Sequence, residues 1–303
     1  MRTYPLTCRL SATLSALFVA GSAAGILAAH AGGAVVAWGG IQEAPLGNFI
    51  FVRGGSSQAV GIRDDGRLAL WGGLGDAFAI PPLPGSIAND VFISADIAKS
   101  HLLALTWDGR VFGWGSNAFG QLTAPVNVRF TAVAAGGRHS LGIALDGTLR
   151  GWGDPIPINV PAGKYIAVSA RATYSTAIRQ DGTLIGWGVA PAVFDSWTSD
   201  GAGHYYVAGE RFTSISAGVD HALALTIDNR VVGWGVNTDG QIDSPSKVRF
   251  KAVAAGEGYS LGIAVNGRVV AWGNNSLGQV DQAPAGKVDD VAAAAHNAFA
   301  ILK

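Results

Sequence analysis

The chain has 303 residues, 49% of them apolar and only 14% charged, and this composition argues against general disorder because a sizeable core can be buried. Lysine plus arginine and aspartate plus glutamate total 21 each, so the chain lacks the basic field of a protein that binds nucleic acid phosphates. The 43 glycines and 12 prolines indicate many short strands joined by tight turns.

The first 31 residues differ in composition from the rest. Arg2 and Arg9 give a positive start, the stretch from Leu10 to Ala29 has no charge, and Ala29-His30-Ala31 has the small-x-small pattern of a signal peptidase site. We therefore predict a signal peptide over residues 1–31, a secreted or extracytoplasmic protein, and no stable membrane insertion after cleavage. An uncleaved anchor is the alternative, because the uncharged run approaches the ~20 residues that span a bilayer.

Cleavage would also change the chemistry of the mature chain. The single cysteine, Cys8, would leave with the signal peptide, so the mature protein would have no disulfide, no cysteine nucleophile and no cysteine-ligated metal. Removal of two arginines and no acidic residue would give a net charge of −2.

A Trp-Gly pair then recurs seven times, at Trp38, Trp71, Trp114, Trp152, Trp187, Trp234 and Trp272. Six residues before each of the last six tryptophans stands an Asp-Gly, Asp-Asn or Asn-Gly pair, which favours the positive φ of a two-residue hairpin turn. A further apolar segment, such as residues 130–135, precedes each hairpin. Three to four strands in about 40 residues are typical of one propeller blade.

The two ends of this repeat pattern complement each other. Residues 33–39 carry a Trp-Gly strand without the strands that should precede it, and residues 288–302 supply two early strands without a Trp-Gly strand. We therefore predict an all-β fold over residues 32–303: a single seven-bladed β-propeller closed by pairing of its N- and C-terminal strands, which hides both edges. We expect a monomer.

The repeats resemble those of the regulator of chromosome condensation family. Ala135-Gly136-Gly137-Arg138-His139-Ser140-Leu141 matches the first half of that family's repeat, and Trp114-Gly115-Ser116-Asn117-Ala118-Phe119-Gly120-Gln121 matches the second half. The resemblance covers essentially the whole mature chain and implies a propeller that binds proteins. Nuclear members are nucleotide exchange factors that contact chromatin, whereas secreted bacterial members, including an inhibitor of class A β-lactamases, are more similar in scaffold.

One difference from that inhibitor concerns the second position after the Ala-Gly pair, where the resemblance implies aromatic side chains for inhibition. In this chain the position holds Ser57, Ser100, Arg138, Thr173, Asp220, Gly258 and His296. None of these residues is aromatic.

The candidate catalytic residues follow the repeat. His101, His139 and His221 share one repeat position, and their recurrence predicts a hydrogen-bonding role inside each blade rather than a metal or catalytic site. The sequence contains no Gly-x-x-x-x-Gly-Lys-Ser/Thr phosphate-binding loop. We therefore expect no enzyme activity, cofactor or metal.

Partner specificity should come from positions where the blades differ. After the Ala-Gly pairs these are Lys99, Ser100, Arg138, Thr173, Asp220, Glu257 and His296, which should cluster on one face. The longest spacing between tryptophans contains Trp197, Tyr205 and Tyr206, which we predict as an aromatic anchor at the rim of that face. The alternative is an elongated blade whose aromatic side chains pack against its own edge.

The resulting prediction is a secreted, non-enzymatic, protein-binding propeller. The alternatives are an inhibitor of a secreted enzyme such as a class A β-lactamase, a structural cell-surface component, and a propeller enzyme such as a polysaccharide lyase or glycosidase. The sequence does not identify the partner.

Overall fold

The computed structural model describes residues 32–40, 43–73, 80–81, 83–87, 90–154, 159–189 and 191–303. The predicted signal peptide, with Cys8, lies outside the described residues.

The described chain is built from repeated units of three strands. After Gly33–Gly39 (β1), unit 1 contains Asn48–Gly54 (β2), Gln58–Arg63 (β3) and Leu68–Gly72 (β4). Unit 2 contains Phe92–Ile97 (β5), His101–Thr106 (β6) and Val111–Gly115 (β7), and unit 3 contains Phe130–Ala135 (β8), His139–Ala144 (β9) and Leu149–Gly153 (β10).

The second half of the chain repeats this order. Unit 4 contains Tyr165–Arg171 (β11), Tyr174–Arg179 (β12) and Leu184–Gly188 (β13), followed by a short helix, Pro191–Phe194 (α1), and two short strands, Thr198–Ser199 (β14) and His204–Tyr206 (β15). Unit 5 contains Phe212–Ala217 (β16), His221–Thr226 (β17) and Val231–Gly235 (β18). Unit 6 contains Phe250–Ala255 (β19), Tyr259–Ala264 (β20) and Val269–Gly273 (β21), and the chain ends with Val288–Ala293 (β22) and Asn297–Leu302 (β23). A 3₁₀ turn, Gly85–Ile87, lies between units 1 and 2.

The turn pairs connect the second and third strands, as the sequence predicts. In unit 3, Gly147 has φ 81° and the Asp146 carboxylate accepts the backbone N–H of Thr148 at 2.8 Å. The side-chain oxygen of Asp146 therefore stabilises the tight turn, and the prediction that this aspartate is a turn residue is confirmed.

Hydrogen bonds divide the described strands into six sheets. One of them has the order β22-β23-β1-β2-β3-β4, in which β1 pairs with β23 from Val35↔Ile301 to Gly39↔Asn297 and touches β2 only at Gly33↔Phe49 and Ala34↔Asn48. The terminal strands therefore belong to one sheet. The pairing gives six sheets rather than seven separate ones, because the short β1–β2 contact joins two groups of three strands.

The core lies between consecutive units. The second strand of units 2, 3, 5 and 6 is buried at all six positions, because both of its faces pack against neighbouring strands. Each buried cluster combines residues of two units; for example, Leu103 of unit 2 packs with Phe130 and Trp152 of unit 3. Another cluster joins Phe49 and Val52 of unit 1 to Phe299 of β23. The units are therefore stabilised by packing against each other more than by any core of their own.

The glutamine that ends the Trp-Gly-x-Asn-x-x-Gly-Gln motif connects consecutive units. The Gln121 side chain accepts the backbone N–H of Phe119 at 2.9 Å, and its backbone carbonyl accepts the Trp152 indole N–H at 2.9 Å and the Ser140 hydroxyl at 2.8 Å. Trp38 and Trp272 donate in the same way to the carbonyls of Gln279 and Gln241. The motif thus ties the loop after one unit to the tryptophan and serine of the next.

The glycine after each tryptophan is required by its backbone. Gly153 has φ 103°, and a Cβ at this position would lie 2.6 Å from the carbonyl oxygen of Arg138. No larger residue can occupy that space without moving the chain.

Candidate functional site

The candidate site is one face of the molecule, formed by the turns between the first and second strands of the units. Each turn is closed by a backbone bond across the strand ends, such as Ala98 N–H to the His101 carbonyl at 2.9 Å and Gly136 N–H to the His139 carbonyl at 2.9 Å. We call this surface the loop face and define it as residues 55–57, 98–100, 136–138, 172–173, 218–220, 256–258 and 294–296.

Backbone hydrogen bonds join neighbouring loops on this face. Gly137 N–H donates to the Ala172 carbonyl at 2.7 Å, and Val219 N–H donates to the Gly256 carbonyl at 3.2 Å. Ala295 N–H donates to the Gly55 carbonyl at 3.2 Å, which connects the last loop to the first. The loops therefore converge on one surface, as the sequence predicts.

Arg171, at the end of β11, connects loops that are not neighbours in the chain. Its guanidinium donates to the carbonyls of Gly54 and Gly55 in unit 1, at 3.3 and 3.2 Å, and to the carbonyl of Ile97 in unit 2, at 3.5 Å. Unit 3 lies between unit 4 and units 1 and 2 in the chain, so Arg171 reaches across the loop face. Sequence inspection missed this residue, because a single arginine at a strand end carries no signal of its partners.

Two carboxylates each join two units. Asp96 of β5 accepts the Ala135 N–H of unit 3 at 2.8 Å, and Asp290 of β22 accepts the Val52 N–H of unit 1 and the Arg53 guanidinium, both at 3.2 Å. Burial raises the pKa of Asp96 and of Asp290, and Arg53 opposes this effect at both positions. The hydrogen bonds of these carboxylates therefore join units, although burial of their negative charge is unfavourable.

The predicted residues after the Ala-Gly pairs all lie on the loop face. Lys99, Arg138, Thr173, Glu257 and His296 are exposed, whereas Ser100 and Asp220 are half-buried. Their role in binding stays a prediction.

Exposed apolar side chains lie at or near the same face. The Arg138 guanidinium stacks over the Phe119 ring at 4.5 Å, and Phe119 is 44% exposed. Val219, in the loop between β16 and β17, and Val189, which bonds to the loop residue Thr173, are also exposed. Sequence inspection missed this apolar component, because Phe119 and Val189 belong to segments that follow the third strand.

The prediction of an exposed anchor at Trp197 is wrong. Its side chain is 7% exposed and packs with Phe194 and Trp234, whose ring centroids both lie 5.2 Å away. The insertion lengthens the sheet of unit 4, because β15 pairs with β13 and β14 pairs with β15. Trp197 is buried because it lies between these added strands and Trp234 of unit 5.

Tyr205 and Tyr206 are half-buried for the same reason. Tyr205 stacks on Phe194 with a centroid distance of 4.7 Å, and the Tyr206 hydroxyl donates to Asp200 at 3.3 Å. These contacts match the alternative that the inserted aromatic residues pack against their own blade.

The three repeated histidines connect units, which corrects the prediction of bonds inside each blade. The Nε2 atom of His101 lies 3.0 Å from the Ser140 hydroxyl of unit 3, and the Nε2 atom of His139 lies 2.8 Å from the Ser175 hydroxyl of unit 4. Ser140 donates its own proton to the Gln121 carbonyl, so it accepts the proton of His101. Burial lowers the pKa of His101 and of His139 to about 4, so both side chains are neutral at neutral pH.

Two further features of the described residues concern metal ligands and membrane-spanning helices. These residues include no group of three or more His, Cys, Asp or Glu side chains placed to hold a metal ion. Among the residues that the structure describes, no helix has the length and hydropathy needed to cross a membrane.

The sequence matches a known repeat family in four segments. The family is described as the regulator of chromosome condensation (RCC1) repeat, and the matched residues are 99–121, 130–155, 212–241 and 250–279.

Curated relatives match parts of the chain. A human probable E3 ubiquitin-protein ligase, HERC6, is 34% identical over 124 residues, which are 33% of this chain and 12% of the relative. The Arabidopsis thaliana ultraviolet-B receptor UVR8 is 35% identical over 108 residues, which are 31% of this chain and 24% of the receptor. The aligned part therefore spans a quarter or less of these relatives, and the similarity does not extend to the rest of their chains.

Solved structures support the fold over most of the chain. Prp20p from Saccharomyces cerevisiae, whose binding to Gsp1p and histones has been described, has a TM-score of 0.69 at 17% identity and covers 84% of this chain and 82% of its own. The ectodomain of the Arabidopsis thaliana receptor kinase ACR4 has a TM-score of 0.65 at 20% identity and covers 85% of this chain and 94% of its own.

Proposed function

Because the chain belongs to the regulator of chromosome condensation repeat family, a family of β-propeller interaction scaffolds, we propose that it is a secreted, non-enzymatic propeller that binds a protein partner through its loop face. One observation carries this proposal. The same three strands recur in every unit, whereas the loops that converge on the loop face differ in sequence from unit to unit. The recurring strands satisfy the same packing throughout, so specificity has to come from the loops.

We also propose that the propeller has seven blades and that β22, β23 and β1 form the seventh. Seven buried clusters each join two consecutive units of three strands, and one of them lies between β23 and unit 1. The Asp290 bonds to Val52 and Arg53 cross the same boundary. These contacts support a closed ring.

The charge of the loop face suggests the kind of surface it binds. Units 2 and 3 present the cations Lys99 and Arg138, whereas units 5 and 6 present the anions Asp220 and Glu257. A partner with an acidic region beside a basic region would complement both sides, and opposite charges that face each other at an interface favour one orientation of binding.

A direct test begins with the partner. The exported protein is immobilised and used to capture proteins from its own culture medium, and affinity for the captured protein is then measured by calorimetry. Arg138→Ala and Glu257→Ala should each weaken binding by about 1–3 kcal/mol, because exposed residues at an interface centre are costly to truncate. Arg150→Ala is the matched control, because this exposed arginine lies in the third strand of unit 3, away from the loop face. Normal binding by both loop-face variants would refute this choice of surface.

Export and inhibition are separate parts of the proposal. N-terminal sequencing of the exported protein should begin near Gly32. Protein recovered from membranes with residues 1–31 intact would favour the anchor. Inhibition of a class A β-lactamase stays a prediction, which an assay with the purified enzyme and the exported protein tests.

A further inference from the structure

The opposite end of the units carries a second, different surface. There the residue that precedes the first strand of units 2 to 6 lies across from the residue that begins the turn between the second and third strands; Asn48, which begins β2, and Lys303, which follows β23, occupy the equivalent positions in the other two pairs. Backbone bonds of 2.9 to 3.2 Å join these residues in the pairs Asn48/Asp64, Val91/Trp107, Arg129/Leu145, Lys164/Gln180, Arg211/Ile227, Arg249/Val265 and Lys287/Lys303. We call this surface the turn face and define it as these seven pairs.

Positive charge is concentrated on one part of the turn face. From unit 3 to the last pair of strands, all five residues that precede the first strand are basic and exposed; we call them the basic arc: Arg129, Lys164, Arg211, Arg249 and Lys287. The equivalent residues of units 1 and 2 are Asn48 and Val91. Since the whole chain has no net charge, this arc reflects an uneven distribution of charge over the surface.

Four of the five cations of the basic arc form no ion pair with another described residue. Lys164 lies 3.9 Å from Asp146, and the other four members of the arc take part in none of the ion pairs found between described residues. The acidic groups nearby have partners of their own, for example Asp228 with Arg230 at 2.7 Å and Asp289 with Lys303 at 3.6 Å. Four members of the arc, Arg129, Arg211, Arg249 and Lys287, therefore present charge that no ion pair between described residues neutralises.

Large apolar side chains lie beside these cations. Leu145 is 69% exposed, Ile227 69% and Val265 61%, and each lies directly across from a basic residue of the arc. The repeat does not require an apolar residue here, because units 1 and 4 carry Asp64 and Gln180 at the equivalent position. Residues paired directly across two antiparallel strands have Cβ atoms about 5 Å apart, so cation and apolar group form one mixed surface.

We propose that the basic arc, with Leu145, Ile227 and Val265, binds a protein segment in which Asp or Glu residues alternate with apolar residues. Arginine predominates in the arc, and its planar guanidinium matches a carboxylate with two parallel hydrogen bonds. The turn carboxylates of Asp146, Asp181 and Asp228 lie among the cations and would repel the continuous charge of a polyanion. A protein segment can place its carboxylates over the cations and its apolar groups over the exposed aliphatic side chains. This surface is distinct from the loop face, because it lies at the other end of the strands.

The test uses the exported protein and a fluorescent synthetic peptide that alternates Asp-Glu pairs with Leu and Phe. Arg211→Gln combined with Arg249→Gln should weaken peptide binding severalfold, and Arg211→Glu combined with Arg249→Glu should weaken it by about tenfold or more, because like charges then face each other. Added salt should weaken binding to the unaltered protein. Melting curves of both variants should match that of the unaltered protein, because these side chains are exposed.

A matched control removes the same charge elsewhere. Lys99→Gln combined with Arg138→Gln, on the loop face, changes the net charge equally but leaves the arc intact, so peptide binding should persist. An equal loss of binding in the Lys99 and Arg138 variant would overturn the proposal, since net charge alone would then explain the affinity. Tighter binding to duplex DNA or to phosphatidylserine vesicles than to the peptide would overturn it in favour of those ligands. Because the loop-face partner is measured separately, failure here leaves the proposed function untouched.

Discussion

Replacement of Trp152 by alanine tests whether packing between consecutive units stabilises the molecule. The Trp152 side chain is 5% exposed, its ring lies 5.7 Å from that of Phe130, and it packs in a cluster with Leu103 and Leu105 of the preceding unit. Removal of a buried tryptophan leaves a cavity between two units that the surrounding strands can only partly fill. We expect a loss of about 3–5 kcal/mol in the free energy of unfolding.

A second substitution separates packing from hydrogen bonding. Trp152→Phe keeps an aromatic ring but loses the bond from the indole nitrogen to the Gln121 carbonyl, which is 2.9 Å long. That carbonyl still accepts the Ser140 hydroxyl at 2.8 Å, so it is not left without a partner. The phenylalanine variant should therefore lose about 1 kcal/mol from the missing hydrogen bond, with a further loss only to the extent that the smaller ring packs less well.

Urea unfolding followed by far-ultraviolet circular dichroism measures both changes. Trp107→Ala is the control, because this tryptophan is 52% exposed and its removal should change stability by about 0.5 kcal/mol or less. If Trp152→Ala is no more destabilising than Trp107→Ala, packing between units does not contribute as argued.

Three further predictions concern pH, backbone and closure. The folded pKa of His139 is about 4 against an unfolded value of 6.5, so the unfolded chain binds the proton first and stability falls as pH drops from 6.5 to 4. His139→Gln should remove about 2 kcal/mol of that fall at about pH 5. Identical pH profiles of stability for the two proteins would contradict the assignment. Gly153→Ala should be strongly destabilising because a Cβ would lie 2.6 Å from the Arg138 carbonyl oxygen. The control is Gly85→Ala, whose Cβ meets no atom within 4 Å, so this variant should melt like the unaltered protein. Equal melting temperatures of the two variants would show that the backbone accommodates the methyl group at residue 153. Deletion of residues 291–303 should expose the edge of β1 and cause aggregation in size-exclusion chromatography, and a monomeric product with an unchanged melting curve would exclude closure through the chain ends.

The sequence by itself determined the repeat and most of its strands. Asp-Gly turns and Trp-Gly strands are local signals: Gly147 takes a positive φ and Asp146 accepts a nearby N–H whatever the rest of the chain does. The position of the varied loops on one face also followed from the repeat, because equivalent residues of stacked units must lie at equivalent places. Residues such as Lys99 and Glu257 were found in this way.

Only the tertiary structure decided which residues meet across units. His101 bonds to Ser140 of the next unit, Arg171 reaches carbonyls of units 1 and 2, and Trp197 is buried against Trp234. The pattern of one repeat carries no information about the distance between units, so the histidines were assigned to the wrong partners and Trp197 to the surface. The basic arc was likewise invisible in a chain without net charge, because its members are 35 to 47 residues apart in sequence and become neighbours only when the units are stacked side by side.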